Sequence, residues 1–137
     1  GEEAYSTSIL LHEILGADIQ SWDIQIFATD SDNEAIAEGR RGEFPSSSLA
    51  MMDDALVKKY FIDDDDFVQV KQNVKSLVSF YRHDFTSNPP FLKLDLISCQ
   101  NLLINLDIEL QRRVISIFHY SLEENALLFL GCLFYTS

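Results

Sequence analysis

Asp95 to Arg113 reads DLISCQNLLINLDIELQRR and changes character halfway. The apolar run at its start suits a strand buried on both faces, whereas Leu110, Val114, Ile117, Phe118 and Leu122 recur at helical spacing behind Asp107, which stands in the N-cap position with Glu109 in the first turn. Between the two lie Cys99, Gln100 and Asn101, where the backbone has to leave a sheet. A strand, a polar turn and a helix in that order make one half of a parallel crossover unit, and the rest of the chain repeats the pattern.

Working upstream, "SLVSFYRHD" reads as another buried strand ending at Asp84, followed by a loop marked by Asn88, Pro89 and Pro90. "WDIQIFATD" alternates at Ile24 and Ile26, becomes fully apolar and stops at Asp30. Ser31 or Asp32 is placed to cap a short helix through about Glu38, and Gly42 breaks "RRGEF". Residues from about Glu3 to Leu15 pair apolar side chains four apart and predict a helix closed by Gly16 in a left-handed conformation. A further helix is predicted from Ser46–Ser48 to Tyr60, with Leu49, Met52 and Leu56 on one face. Asp63 to Asp66 separate "YFI" from "FVQV" and predict a hairpin with an acidic tip. Downstream, "ALLFLGCLF" is a fourth strand.

Strands too apolar for one wet face, alternating with helices, predict a parallel α/β sheet. Ligands of such sheets sit outside the carboxyl ends of the strands, where Asp30, Asp84 and the Gln100–Asn101 pair all fall. Taken alone, Asp30 reads equally as a cap for the next helix, and Asn101 as a partner for loose backbone groups at a turn. Their shared position at strand ends favours a pocket.

At 137 residues, 47% hydrophobic and 12% aromatic, the chain has the material for one domain with a core. Its formal net charge of -12 argues against binding nucleic acid phosphates or an anionic membrane, and favours small cations or basic protein surfaces. No apolar stretch reaches the roughly 20 residues that cross a bilayer, so the expectation is a protein of the cytoplasm without membrane insertion. Cys99 and Cys132 lie in apolar runs and read as buried thiols; His12, His83 and His119 lack ligand spacing, so no metal is expected. The aspartate tip lacks the alternating ligands, glycine and terminal glutamate of a calcium loop.

The strings GEEAYS, FATD, RRGEF, KYF, PPFLKLDLISCQNLLINLD, QRRVISIFHYSL and LLFLG stand in an order and spacing that resemble the CheR-type chemotaxis receptor methyltransferases, from Gly1 to Gly131. The resemblance implies a doubly wound, mostly parallel, Rossmann-like methyltransferase sheet with a small β-subdomain inserted at about residues 43 to 76. It implies S-adenosylmethionine as cofactor, S-adenosylhomocysteine as product, and glutamates of methyl-accepting receptor cytoplasmic domains as substrate. By the same resemblance Glu3 contacts the amino-acid or ribose end of the cofactor, Asp30 accepts the ribose hydroxyls, Asp84 and Phe85 contact adenine, and Asn101 lies at the floor of the site.

Transfer of a methyl group to an ionised carboxylate needs no general base, and alignment with exclusion of water can supply about 7 to 11 kcal/mol. Two positions depart from the family pattern. Gln100 stands where the family has arginine, and Asn105 where it has the tyrosine taken to orient the substrate carboxylate. The family's first, central strand and its N-terminal helical domain have no counterpart in these residues, so the chain reads as part of a longer signalling protein. Two functions stand side by side: a receptor-glutamate methyltransferase domain, or a degenerate module that binds the cofactor or docks on receptors without turnover.

Overall fold

The computed structural model describes residues 2–85, 87–100 and 103–131. Helix α1 (Glu2–Leu15) places Tyr5, Ser8 and Ile9 on its buried side, and it gives way at Gly16, whose φ of 55° is the left-handed value glycine adopts without strain. After a 3₁₀ segment, Gly16–Ser21, the chain enters β1 (Ile26–Asp30) and then α2 (Asn33–Arg41). Asp32 caps α2 by accepting the Glu34 N–H at 2.9 Å. Gly42, at φ 65°, ends it. The start falls where the sequence predicts it, whereas the helix runs three residues past Glu38, to Arg41.

Three short strands follow: β2 (Glu43–Pro45), β3 (Phe61–Asp64) and β4 (Phe67–Val70), with helix α3 (Asp54–Tyr60) between the first two. They form an antiparallel sheet in the order β2-β4-β3. The predicted hairpin is present, turning at Asp65, whose φ is 55°. The single helix predicted from Ser46 to Tyr60 is instead a 3₁₀ turn at Ser46–Leu49 and the separate α3. The cause is local. Ser46 donates its N–H to the Asp66 carbonyl at 2.9 Å and its hydroxyl to the Asp65 carbonyl at 3.1 Å, tying this end to the hairpin. Asp53 then caps a new helix by accepting the Ala55 N–H at 3.1 Å.

Helix α4 (Gln72–Lys75) leads into β5 (Val78–Arg82), which pairs parallel with β1 in the register Ile26↔Val78 to Asp30↔Arg82. The strand predicted to end at Asp84 therefore stops two residues sooner. One core lies beneath all of these elements. Tyr5, Ile9, Ile36, Tyr60, Phe61, Val68, Val70, Val74 and Phe80 are buried together, so the antiparallel sheet and the parallel ladder share apolar contacts with α1. Ser8, fully buried, donates to the Val74 carbonyl at 2.9 Å, and Tyr5 donates to the Gly39 carbonyl at 2.5 Å. Burying those hydroxyls is tolerable because each finds an acceptor.

The close approach of α2 and β5 requires Gly39. A Cβ there would lie 2.4 Å from Cε1 of Phe80, a ring that is itself buried and packed on Tyr5 with centroids 5.6 Å apart. Alanine normally favours a helix interior by up to about 1 kcal/mol over glycine. Overpacking outweighs this, and Gly39→Ala is expected to destabilise the protein by about 1–2 kcal/mol in urea unfolding.

At the surface of the same unit, Glu13 Oε2 accepts from Lys59 Nζ at 2.6 Å and from Tyr60 Oη at 2.5 Å. These donors, Lys59 first, hold the Glu13 carboxyl below its ordinary 4.5. A lowered folded-state pKa gives stability that is present above 4.5 and is lost as pH falls through the folded value. The stability gap between the native protein and Glu13→Gln, read from melting temperatures, should therefore be open at pH 7 and close on acidification. A gap unchanged between pH 7 and pH 3 would contradict this.

The chain divides into two compact units, Gly1–His83 and Asp84–Ser137. In the second, β6 (Leu94–Gln100) pairs parallel with β7 (Leu122–Gly131), and α5 (Ile108–Ser121) connects them. Asp107 caps α5 by accepting the Leu110 N–H at 2.8 Å, as predicted. Strand β7 starts earlier than the sequence suggests. Leu122 already pairs with Leu94, and the register then shifts before Leu96↔Leu127, with Asn125 at φ 65° in the intervening stretch. Leu103, Val114 and Phe118 form the core of this unit, with Phe85, Ile97, Cys99, Leu106 and Leu130 packed around them.

The sequence predicts strands covered on both faces. Phe27, Tyr81, Leu96, Leu127 and Phe129 are instead exposed by 40 to 69%. Each parallel ladder has two strands among the described residues, too few to cover apolar side chains on both faces. No described helix is long and apolar enough to cross a membrane.

Candidate functional site

Asp30 is the last residue of β1 and is exposed. One carboxylate oxygen, Oδ1, accepts the Asp32 N–H at 2.9 Å and shapes the turn into α2. The cap of α2 is Asp32, so Asp30 is not the helix cap that its position also allowed. Among the described residues Oδ2 takes no partner, which leaves an acceptor oxygen at the carboxyl end of a parallel strand. Arg82, its register partner on β5, turns its Nε–H to the Ser31 carbonyl at 3.1 Å. The Asp30 carbonyl accepts the N–H of the buried His83 at 2.9 Å. The strand end is thus fixed by backbone bonds while a carboxylate oxygen faces outward.

Glu3 lies in the first turn of α1, anchored by Thr7, whose hydroxyl donates to the Glu3 carbonyl at 2.9 Å. Partial shielding from solvent raises its carboxyl above the ordinary carboxylate value. Glu3 and Asp30 belong to the first unit.

Asp84, Phe85, Gln100 and Asn105 belong to the second unit. Asp84 opens a tight loop. Its N–H donates to Asn88 Oδ1 at 2.8 Å, and its carbonyl accepts the N–H of Asn88 at 2.8 Å and of Ser87 at 3.2 Å. Phe85 is half-buried and meets Phe118 edge to face, with centroids 5.3 Å apart at 85°. Gln100 is the last residue of β6, opposite Gly131. Asn105 ends a 3₁₀ turn, Leu103–Asn105, and is exposed. Asn101 lies outside the described residues, as does the side chain of Gln100.

Sequence reading overlooked Gln111. From the first turn of α5 its amide donates to the carbonyls of Leu103 at 2.7 Å and Leu106 at 3.0 Å, clasping the turn that carries Asn105. The only signal was its place four residues after the Asp107 cap, which puts it over the turn that precedes the helix. Among the described residues no group of three or more His, Cys, Asp or Glu is placed to hold a metal ion.

Parallel strands joined through helices define an α/β domain, a class whose ligands sit outside the carboxyl ends of the strands, where Asp30 lies. Comparison gives the family. The chain belongs to the CheR methyltransferases: residues 1–132 match the model of the CheR methyltransferase SAM-binding domain. It is 30% identical over 135 residues to a chemotaxis protein methyltransferase of Borreliella burgdorferi and 29% identical over 140 residues to one of Salmonella typhimurium. In both cases 96% of this chain and 47% of the relative are aligned. It is also 29% identical over 131 residues to a 104.1 kDa protein of Rhodobacter capsulatus, of which it covers 14%. The chain therefore spans half or less of the length of these relatives. S-adenosylmethionine is the methyl donor of the family. An exposed carboxylate oxygen on Asp30, at the end of a strand, is an acceptor of the kind a ribose diol needs, so Asp30 fits that part of the cofactor.

Proposed function

We propose that the protein carrying this chain is an S-adenosylmethionine-dependent O-methyltransferase that esterifies glutamate side chains on the cytoplasmic domains of methyl-accepting receptors, and that it works in the cytoplasm. The observation that carries this reading is Asp30, exposed at the end of β1 with one oxygen committed to its turn and the other available for the two ribose hydroxyls. Glu3 would take the amino-acid or ribose end of the cofactor, Asp84 and Phe85 the adenine, and Gln100 and Asn101 the floor of the site. The family's doubly wound sheet, with a first strand outside these 137 residues, is part of the same reading.

When bound, the cofactor supplies an electrophilic methyl group on a positively charged sulfur. The protein's task is to hold a substrate carboxylate in line with it and keep water out; no proton has to be removed, because a glutamate is ionised at neutral pH. The formal charge of -12 favours the cationic donor over its neutral product and so assists exchange.

Gln100 and Asn105 support a second reading, a module that binds the cofactor without turnover. Gln100 can donate to a carboxylate but brings neither the positive charge nor the two-pronged fork of an arginine, and Asn105 is shorter than tyrosine by most of a ring. Calorimetric titration of the full-length protein with S-adenosylhomocysteine, then transfer of labelled methyl groups to receptor cytoplasmic fragments, separates the two. Binding with transfer is expected for the enzyme. Binding without transfer, restored by Gln100→Arg with Asn105→Tyr, would establish the silent module, and absence of binding would reject both.

A further inference from the structure

In a chain with a formal net charge of -12, Arg40 and Lys75 line one hollow, and among the described residues no ion pair joins either to an acid. They line a cavity of about 330 Å³ beside β5, with Tyr5, Ser79, Phe80 and Tyr81 among its other walls. Arg40 Nη2 donates to the Phe80 carbonyl at 2.8 Å and Lys75 Nζ to the Arg41 carbonyl at 3.3 Å; among the described residues neither pairs with a carboxylate. Elsewhere Arg41 lies 4.0 Å from Glu38 and Lys59 2.6 Å from Glu13, while Lys71 and Arg82 also donate to backbone carbonyls, so what sets Arg40 and Lys75 apart is that they line one hollow together. Carbonyl bonds orient the two cavity cations but leave their charge uncompensated.

The strand adds a third donor. Leu77 presents its carbonyl, and His83 its N–H, to β1, so residues of that parity face the partner strand. Phe80 has the opposite parity, and its carbonyl is the one that Arg40 reaches from outside the ladder. The N–H of a strand residue points to the same side as its carbonyl, so the Phe80 N–H also faces the free edge of β5. A guanidinium, an ammonium and a backbone N–H around one hollow make a recognition set for a doubly charged oxyanion. The volume exceeds what a bare phosphate fills and sits near the lower end for small-molecule sites. The hollow flanks Val78–Tyr81 along the strand edge, whereas Asp30 and Arg82 mark the strand ends.

We propose that this cavity binds a small organic phosphate, with the phosphate group on Arg40, Lys75 and the Phe80 N–H. Local positive charge here has to overcome the repulsion of an acidic chain, so binding should depend sharply on each cation.

The test is calorimetric titration of the full-length protein with adenosine monophosphate and, separately, inorganic phosphate, at 150 mM salt with the methyl-donor site saturated by S-adenosylhomocysteine. We expect adenosine monophosphate to bind, and Lys75→Met to weaken it about tenfold or more with an unchanged melting temperature. Lys58→Met, a control for bulk charge, should leave it unchanged. Inorganic phosphate binding as well as the nucleotide would overturn the organic part of the proposal. No binding of either probe at 10 mM, or equal losses in Lys75→Met and Lys58→Met, would overturn the site itself. Because S-adenosylhomocysteine is titrated separately into the same protein beforehand, failure here is distinguishable from failure of the methyltransferase reading.

Discussion

Asp30→Ala is expected to weaken S-adenosylhomocysteine binding about a hundredfold, measured by calorimetry on the full-length protein, while changing stability by no more than about 1 kcal/mol. A hydrogen bond to a charged carboxylate is worth about 1.5 to 3 kcal/mol, and because Asp30 is exposed to water we expect the two ribose hydroxyls together to contribute about the upper value of one such bond, near 2.7 kcal/mol, which corresponds to that loss. The fold has little stake in the side chain. Asp30 is exposed, its internal bond is the one to the Asp32 N–H, and α2 keeps its own cap in Asp32. Asp30→Asn, which preserves shape but loses charge, should lie in between, near tenfold. Wild-type affinity in Asp30→Ala would remove the ribose contact from the proposal.

Phe118→Ala is expected to cost about 3–5 kcal/mol of stability, a large share of the 5–15 kcal/mol that holds a typical domain. Phe118 is 1% exposed and sits at the centre of the second unit, against Leu103 and Val114 from one side and Phe85 from another. Its edge-to-face contact with Phe85, at 5.3 Å, adds to the transfer term. The loss should appear as a lower urea midpoint. S-adenosylhomocysteine affinity should fall as well if Phe85 forms an adenine wall, since the ring that fixes it is gone. Phe118→Leu keeps most of the apolar volume and should retain most of both quantities. A loss below 1 kcal/mol for the alanine variant would mean that this core does not hold the unit.

How far the fold is legible in the sequence differs from element to element. The caps at Asp32, Gly42 and Asp107 were readable because each acts on its own next few residues. The hairpin at Asp63–Asp66 was readable because β3 and β4 adjoin in sequence. Strand β2 was not. Its three residues are a strand because Glu43, Phe44 and Pro45 lie beside Gln69, Val68 and Phe67, more than twenty positions away. The same distant hairpin holds Ser46 and ends the helix that Leu49, Met52 and Leu56 suggested.

For the candidate site, the sequence placed Asp30 and Gln100 at strand ends but could not say what their backbone neighbours do. It also gave no warning of Gln111, whose amide serves two carbonyls of a turn, or of Arg40 and Lys75 at the edge of β5.

The sequence by itself determined the longer helices and the parallel strands, the acid that closes β1 and the family to which the chain belongs, because periodicity, capping and short motifs are carried by residues close together along the chain. Tertiary structure alone decided that Asp30 keeps an oxygen outward, that Gly39 admits the Phe80 ring, and that two cations share a hollow without a carboxylate. Each of those depends on which backbone groups lie next to one another after long loops close, and local propensity does not encode that distance.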